Sequence, residues 1–337
     1  MTTKKKILFM GKVSANQKAF TLKYLPADAE IVFYEQEGDR EKHIATADIL
    51  VAYNVNLTKD WIEKADKCRL TQRLGVGVNA VDIPAASRRG IPIAITAGKN
   101  ARSVAEHAVM LMLAVYKNVT MAHINLVQQG KWLKNILRDR SYELSHKEVG
   151  IVGLGNIGRE VAQLLQSFAC ELSYYDVVRA PAEVEKALNL RYSDLDSLLQ
   201  QSDVVTIHAP ATPETIHLIN EKRLRSMKPN AILINCSRGE LIDEVALVKV
   251  LQSGQLLGAG LDVFETEPMP ADHPLTKLEN VVLTPHTAGG TVEAVEAVIQ
   301  DACENINCML KDGTVANEKS IVNWNDVKGK VAVAGLR

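Results

Sequence analysis

The sequence lacks the features that define several large classes of protein. Its five cysteines are odd in number and form no CxxC pair, so neither a disulfide framework nor a zinc site is expected. Its longest apolar run, residues 108–116, is too short to span a bilayer. The sequence has no repeat, no low-complexity segment, no cluster of metal ligands and no phosphate-binding lysine motif. We therefore expect no metal, no membrane association and no phosphoryl-transfer chemistry.

The charge balance excludes a further class of partner. The 337 residues include 39 basic and 40 acidic ones, for a net charge of −1, so a basic surface that binds nucleic acid is not expected. The apolar run at residues 7–10, behind a basic start, is too short for the core of a signal peptide. Together with unpaired cysteines, this predicts a cytoplasmic protein. The length suggests two domains.

What the sequence does contain is a glycine-rich turn between a strand and a helix. The apolar residues 149–152 lead into Gly153, Gly155 and Gly158, and a helical pattern follows directly. In such a fingerprint the first glycine permits a tight turn, the second lets the backbone approach a pyrophosphate, and the third lets helix and strand pack closely. Asp176 ends the next predicted strand, roughly 20 residues on, where a ribose-binding carboxylate is expected. The stretch predicts a dinucleotide site rather than an ordinary glycine turn.

Strands and helices alternate along most of the chain, which predicts parallel sheets. In the first hundred residues, strands are expected over residues 5–11, 47–53, 70–74 and 91–95. Residues 103–119 predict a helix that is apolar on nearly every side and is therefore buried on more than one face. Residues 117–148 are mixed and polar and predict a connecting arm. The alternation resumes at residue 149 and ends in a helix over about 292–310.

Polar residues follow three of the apolar strands, where open α/β sheets place their ligands. Arg238, Glu267 and His286 each lie just beyond such a strand. They would supply a cation for an anionic substrate, a group that tunes a proton donor, and the donor itself. A carboxylate partner favours the protonated form of a histidine, and a guanidinium suits a 2-oxo carboxylate. Singly, each residue could be a surface charge; together at one sheet edge they indicate a catalytic site.

Several motifs, in order and at matching spacing, resemble those of the D-isomer-specific 2-hydroxyacid dehydrogenases. Besides the glycine turn with Asp176, they are residues 75–82, 100–106, 235–240, 262–268 and 284–290. The resemblance covers about residues 45–310. It implies an NAD-dependent enzyme that interconverts a D-2-hydroxy acid and its 2-oxo acid, with Arg238, Glu267 and His286 as its catalytic residues and His286 as the acid/base.

The resemblance also implies the binding residues. The expected cofactor site comprises Gly153, Gly155, Asn156, Ile157, Gly158, Asp176, His208, Ala209, Pro210, Thr212, Cys236, Ser237, Asp262 and Gly289. The expected substrate site comprises Tyr53, Val76, Gly77, Asn100, Arg238 and His286. The backbone amides of Val76 and Gly77 would hold the substrate carboxylate, and Asp262 would receive the nicotinamide carboxamide. His208 is expected to form local hydrogen bonds, and Cys236 to pack as a small side chain.

The implied fold is α/β with two doubly wound parallel-sheet domains. A Rossmann NAD-binding domain, residues 101–290, is expected to be inserted in a flavodoxin-like substrate domain made of residues 1–100 and 291–337. The helix and arm over residues 103–145 match the element that packs across a dimer, so a homodimer is expected. Asn79, where members of the family often carry aspartate, is not expected to alter the chemistry. The tail, residues 321–337, matches nothing that we can assign, and because it is short we expect no added regulatory domain.

Three alternatives stay open at this point. Asp176 favours NAD because it would repel a 2′-phosphate, whereas Arg179 could bind that phosphate. The substrate could be 3-phosphoglycerate, hydroxypyruvate, glyoxylate or a bulkier 2-oxo acid, since Arg73, Lys99 and Arg102 could bind a phosphate or could be surface charges. Some proteins of this fold are transcriptional corepressors, so an NADH-sensing binding protein is the alternative function. The complete catalytic triad favours an enzyme.

Overall fold

The computed structural model describes residues 4–78 and 80–334, so Asn79 and the last three residues of the tail lie outside the described residues. The strands are β1 (Lys6–Phe9), β2 (Glu30–Val32), β3 (Ile49–Ala52), β4 (Leu70–Arg73), β5 (Ile93–Ala94), β6 (Glu148–Val152), β7 (Glu171–Tyr175), β8 (Leu190–Tyr192), β9 (Val204–Ile207), β10 (Ile232–Asn235), β11 (Gly258–Leu261), β12 (Val281–Leu283), β13 (Thr314–Val315) and β14 (Ala332–Val333). The α-helices are α1 (Ala15–Tyr24), α2 (Asp39–His43), α3 (Lys59–Lys64), α4 (Ile83–Arg89), α5 (Ala101–Tyr116), α6 (Val119–Gln129), α7 (Lys134–Arg138), α8 (Asn156–Leu165), α9 (Ala182–Ala187), α10 (Leu195–Gln201), α11 (Glu221–Ser226), α12 (Glu244–Gln252), α13 (Val292–Asp312) and α14 (Trp324–Val327). They form two compact units.

The first unit comprises Met1–Asn100 and Thr291–Arg337. Its five-stranded sheet is parallel, with the order β2-β1-β3-β4-β5, which is the flavodoxin-like order. Helix α13 packs against α1 and β4, and its buried residues Ile299, Cys303 and Ile306 join the strand residues in one hydrophobic core. The return of the chain through α13 is therefore what completes this discontinuous unit.

The C-terminal tail, to which the sequence assigned no role, closes one edge of the first unit. Asn323 is buried, and its Oδ1 accepts the N–H of Ile93 at 2.9 Å while its Nδ2 donates to the carbonyl of Ile91 at 3.0 Å. These bonds satisfy backbone groups at the edge strand β5 that would otherwise lack partners. Strand β14 pairs with β13 in the same region of the chain.

The second unit, Ala101–Gly290, contains a seven-stranded parallel sheet. Its order is β12-β11-β10-β9-β6-β7-β8, so the strand order reverses between β6 and β9, the place where doubly wound sheets bind nucleotides. One face packs on α5 and α8, and the other on α10, α11 and α12. Because both faces are covered, β9 and β10 are buried throughout. The predicted fold class is confirmed.

The region after α5 differs from its prediction. Residues 117–148 were expected to form a connecting arm, but they contain the helices α6 and α7. Gly130, at φ +63°, ends α6 with a left-handed cap. Within the described residues, no single helix is long and apolar enough to cross a membrane; α5 and α6, which bend by 64° at their junction, pass that test as a pair by length and composition alone.

Candidate functional site

The glycine turn joins β6 to α8 and is shaped by close backbone contacts. Gly153 has φ +96°, and a Cβ at this position would lie 2.7 Å from the main chain of His208. A Cβ on Gly158 would lie 2.1 Å from the carbonyl oxygen of Gly153. At Gly155, the N-cap of α8, an added Cβ would have no described atom within 4 Å, and no described side chain caps the helix. Gly153 and Gly158 thus pack closely against the main chain, whereas Gly155, at the N-terminus of α8, has free space around it in which a pyrophosphate fits.

Asp176 is fixed beside this turn. Its Oδ2 accepts the N–H of Leu154 at 2.8 Å, which ties the end of β7 to the glycine turn at the end of β6. Asn156 is exposed and Ile157 is half-buried on the first turn of α8. Asp176 and the glycine turn therefore lie at the ends of adjacent parallel strands, which is the arrangement that the fingerprint requires.

His208, just beyond β9, is held as a neutral residue. Burial lowers the pKa of its imidazole to about 3. Its Nε2 lies 2.8 Å from Thr206 Oγ1, and its Nδ1 is buried with no hydrogen-bond partner in the described part of the chain. The following segment is folded back on itself, since the N–H of Thr212 donates to Thr215 Oγ1 at 2.7 Å.

His286 and Glu267 form a close pair beyond the ends of strands β12 and β11. The Nδ1 of His286 lies 2.6 Å from Glu267 Oε2, with the side chains 51% and 35% exposed. The other oxygen of Glu267 accepts the N–H of Phe264 at 3.0 Å. Because Nδ1 is engaged, Nε2 is the nitrogen that can meet a substrate. His286 has φ +53°, a conformation uncommon for a residue with a side chain and frequent at functional sites.

Asp262 anchors the segment that carries His286. Its side chain is fully buried. Oδ1 accepts the hydroxyl of Thr284 at 2.5 Å and the N–H of Thr287 at 2.9 Å, and Oδ2 accepts the N–H of Ala288 at 2.9 Å. The N–H of His286 donates to the main-chain carbonyl of Asp262 at 2.8 Å. This carboxylate is therefore enclosed by donors from the protein, and it holds the imidazole in place through the backbone.

Two residues of this network were not assigned from the sequence. The Nε2 of His107, on α5, lies 2.9 Å from Thr284 Oγ1, so that hydroxyl connects α5 to Asp262. The sequence does not predict this contact, because Thr284 simply precedes a proline and His107 lies inside an apolar helix. The sequence signal was limited to one polar residue in an apolar helix.

Arg238 follows β10 in a turn organised by Asn235. The Oδ1 of Asn235 accepts the N–H and the hydroxyl of Ser237 at 3.0 and 2.8 Å, and its Nδ2 donates to the carbonyl of Arg238 at 2.8 Å. A Cβ on Gly239 would lie 1.9 Å from the main chain of Phe264, so the chain beside Arg238 passes directly against the segment that leads to Glu267. The structure thus brings the two segments together, and Asn235 is a positioning residue that the sequence did not reveal.

The other predicted residues of the second unit differ in their burial. Burial raises the pKa of the Cys236 thiol, which stays protonated and packs in the core. Ser237 is buried, and Gly289 is half-buried beyond Asp262. Ala209 is half-buried and Pro210 is exposed beyond β9.

The predicted substrate loop lies in the first unit, after β4. Gly75 has φ +121°, and its N–H donates to the buried Thr96 Oγ1 at 2.8 Å. Arg73 supports the loop because its Nε donates to the carbonyl of Gly77 at 2.9 Å. Val76 is 44% exposed at the tip. Elsewhere in this unit, the other predicted substrate residues, Tyr53 and Asn100, are both half-buried.

Comparison with known proteins identifies close relatives. Residues 109–288 match the family model for the NAD binding domain of D-isomer specific 2-hydroxyacid dehydrogenases. Glyoxylate reductase of Thermofilum pendens is 44% identical over 253 residues, 74% of each chain. D-3-phosphoglycerate dehydrogenase of Methanocaldococcus jannaschii is 38% identical over 282 residues, 83% of this chain and 53% of that protein. NAD-dependent formate dehydrogenase of Staphylococcus aureus, solved with NAD, is similar with a TM-score of 0.80 and 31% identity, covering 94% and 98% of the two chains.

Proposed function

Because the chain belongs to the D-isomer specific 2-hydroxyacid dehydrogenase family, we propose that Arg238, Glu267 and His286 carry out its reaction. The protein is an NAD-dependent oxidoreductase that interconverts a D-2-hydroxy acid and its 2-oxo acid. Its relatives support this function and not the NADH-sensing, corepressor-like alternative. The observation that carries the residue assignment is the 2.6 Å contact between His286 and Glu267.

His286 is the acid/base of this proposal. In the reductive direction a nicotinamide cofactor, when bound, would supply the hydride that C2 of the 2-oxo acid receives. The imidazole of His286 gives the proton on Nε2 to the substrate oxygen, and in the oxidative direction it takes that proton back. Glu267 fixes the ring through Nδ1 and places its carboxylate beside it. Such positioned acid catalysis contributes roughly 10²–10⁴ in rate. Arg238 holds the substrate's carboxylate and oxo group, for which a planar guanidinium is suited.

The cofactor would be held mainly by the glycine turn and the strand end next to it. The open N-terminus of α8 at Gly155 suits a pyrophosphate, and Asp176 suits the ribose hydroxyls. The other predicted contacts stay predictions; they are Asn156, Ile157, His208, Ala209, Pro210, Thr212, Cys236, Ser237, Asp262 and Gly289. In this proposal the unit Ala101–Gly290 binds the nucleotide and the discontinuous first unit binds the substrate.

The proposed substrate is a small 2-oxo acid without a phosphate, such as glyoxylate or hydroxypyruvate. Each cation that the sequence offered for a phosphate has a partner in its own unit. Arg73 donates to a backbone carbonyl of the substrate loop. Lys99 lies 2.9 Å from Asp301, and Arg102 lies 2.8 Å from Glu106. A phosphate would have to break these contacts, which favours a substrate that does not need them.

We also propose a homodimer formed through residues 103–145. Helix α6 has no buried side chain among its described residues, although Val119, Leu126 and Val127 are apolar and 51%, 49% and 66% exposed. A helix with an uncovered apolar surface is typical of an interface between subunits. The unpaired cysteines are consistent with the proposed location in the cytoplasm.

The experiment that tests the function measures NADH oxidation with glyoxylate, hydroxypyruvate, phosphohydroxypyruvate, pyruvate and a branched 2-oxo acid. We expect the highest kcat/KM for glyoxylate or hydroxypyruvate, at least about tenfold above that for phosphohydroxypyruvate. Binding of the phosphate would require one of the charge-assisted contacts described above to break, and the loss of one such contact lowers kcat/KM by about that factor. A preference for phosphohydroxypyruvate would overturn the substrate proposal. Tight NADH binding without turnover on any member of the panel would contradict the proposed catalytic residues.

A further inference from the structure

Arg179 lies three residues beyond Asp176, at a position from which an arginine can bind the 2′-phosphate of NADP. In the structure its guanidinium is already engaged. Nε donates to Glu185 Oε1 at 2.9 Å, and Nη2 donates to Glu185 Oε2 at 3.0 Å. This is the two-pronged geometry in which a guanidinium binds a carboxylate or a phosphate. Glu185, on α9, therefore occupies the donors that a 2′-phosphate would use.

The carboxylate of Glu185 is itself held in place from the sheet. The hydroxyl of the buried Tyr174, on β7, donates to Glu185 Oε1 at 2.7 Å and accepts the N–H of Ala180 at 2.9 Å. Arg179 also lies over the ring of Tyr192, on β8, 5.4 Å from its centroid. The Glu185 side chain is 13% exposed, whereas that of Arg179 is 63% exposed. The pair is thus an ordered part of the second unit and not a loose surface contact.

The charge on Glu185 persists over the whole physiological range. Hydrogen bonds from Arg179 and Tyr174 lower the pKa of its carboxyl group to about 2. A phosphate that approached Arg179 would have to displace this carboxylate and would also meet its negative charge.

We propose that Glu185 determines the preference for NAD over NADP by occupying Arg179. The inference rests on the proposed nucleotide site, in which Asp176 binds the ribose. The two carboxylates have different tasks: Asp176 accepts hydrogen bonds from the ribose hydroxyls, and Glu185 withdraws the arginine that would otherwise bind a 2′-phosphate. The selectivity therefore depends on a residue of α9 that does not contact the ribose.

The test compares the full-length protein with the variants Glu185→Gln, Glu183→Gln and Glu185→Gln/Arg179→Met. The dissociation constants of NADH and NADPH are measured by nicotinamide fluorescence, and kcat/KM for both is measured on glyoxylate. In Glu185→Gln we expect the ratio of the NADPH to the NADH dissociation constant to fall by about tenfold or more, because the phosphate gains a charge-assisted contact with Arg179. Glu183, exposed on the same helix, provides the matched loss of charge and should leave the ratio unchanged. The double variant should lose the gain.

An unchanged ratio in Glu185→Gln, or a gain that survives removal of Arg179, would overturn the inference. If the unaltered protein does not bind NADH, both the site and the inference fail. Binding without turnover contradicts only the proposed catalytic residues, because the binding ratio still decides the inference.

Discussion

His286 Nδ1 lies 2.6 Å from Glu267 Oε2, and the opposite oxygen of the same carboxylate accepts the N–H of Phe264 at 3.0 Å. The carboxylate is thus fixed by its own loop while it orients the imidazole. The histidine is held from a second direction by its N–H, which donates to the carbonyl of Asp262. The main chain of His286 and the Nδ1 of its ring are thus both engaged, which suits a proton donor that acts on one substrate atom.

Replacing Glu267 by glutamine should lower kcat for 2-oxo acid reduction by about a hundredfold, within the range expected for positioned acid catalysis. The amide keeps the shape of the side chain but removes the charge beside His286. The dissociation constant for NADH should stay within about twofold. Glu265→Gln is the matched control, since Glu265 pairs with His217 at 2.8 Å and not with His286. Equal losses in the two variants would argue against the assigned role.

Replacing Thr284 by valine should destabilise the protein and slow it. The change removes the hydroxyl that donates to the buried Asp262 at 2.5 Å, and a buried acceptor that loses a donor costs about 1–3 kcal/mol. Urea unfolding measures this loss, and kcat should fall because the segment carrying His286 loosens. Thr276→Val removes an exposed hydroxyl bonded to a carbonyl and should cost less. A Thr284 variant as stable and as active as the unaltered protein would show that the network is dispensable.

The stability of the NADH-free protein should depend on pH through His208. Burial lowers the pKa of this histidine from 6.5 to about 3, so the unfolded chain binds its proton first as the pH falls. Its contribution to stability is complete above about pH 6.5 and is lost between there and pH 3, by at most about 1.4 kcal/mol per pH unit. Urea unfolding at pH 7, 5.5 and 4.5 should show a smaller loss in His208→Gln. Parallel pH profiles for the two proteins would contradict the assigned neutral state.

Replacing Val127 by aspartate should weaken the proposed dimer. Val127 lies on α6 and is 66% exposed, and a buried charge at a subunit interface is unfavourable. Sedimentation should show a dimer for the unaltered protein and a shift toward monomer for the variant. Val245→Asp makes the same change at a position on α12 that is 67% exposed and should stay dimeric. A monomer before any substitution would contradict the proposed interface.

The sequence predicted the parts of the site that depend on local order along the chain. Gly153, Gly158 and Asp176 were recognised because their spacing follows from a strand, a turn and a helix in succession. Arg238 and His286 were recognised because parallel strands end at one edge of a sheet. These inferences need the pattern of elements but no knowledge of which distant side chains meet.

The remainder depends on contacts between distant parts of the chain. His107 reaches Thr284, and Asn323 reaches the backbone of β5, across long separations in sequence. Glu185 and Arg179 are six residues apart in the sequence, but their contact depends on how α9 folds back beside the end of β7. Helix α6 was missed since its apolar residues, exposed in the described structure, are interspersed with polar ones. Neither the hydrophobic periodicity nor the spacing of motifs along the chain predicts these contacts.

The most direct test of the account compares the unaltered protein with His286→Ala, using glyoxylate and NADH. We predict that the variant loses at least about a hundredfold in kcat, the lower end expected for the loss of a positioned acid, while NADH binds with an unchanged dissociation constant. This result would assign proton transfer to His286 without involvement in cofactor binding. Turnover within about twofold of the unaltered protein would contradict the central claim that His286 is the acid/base of the reaction.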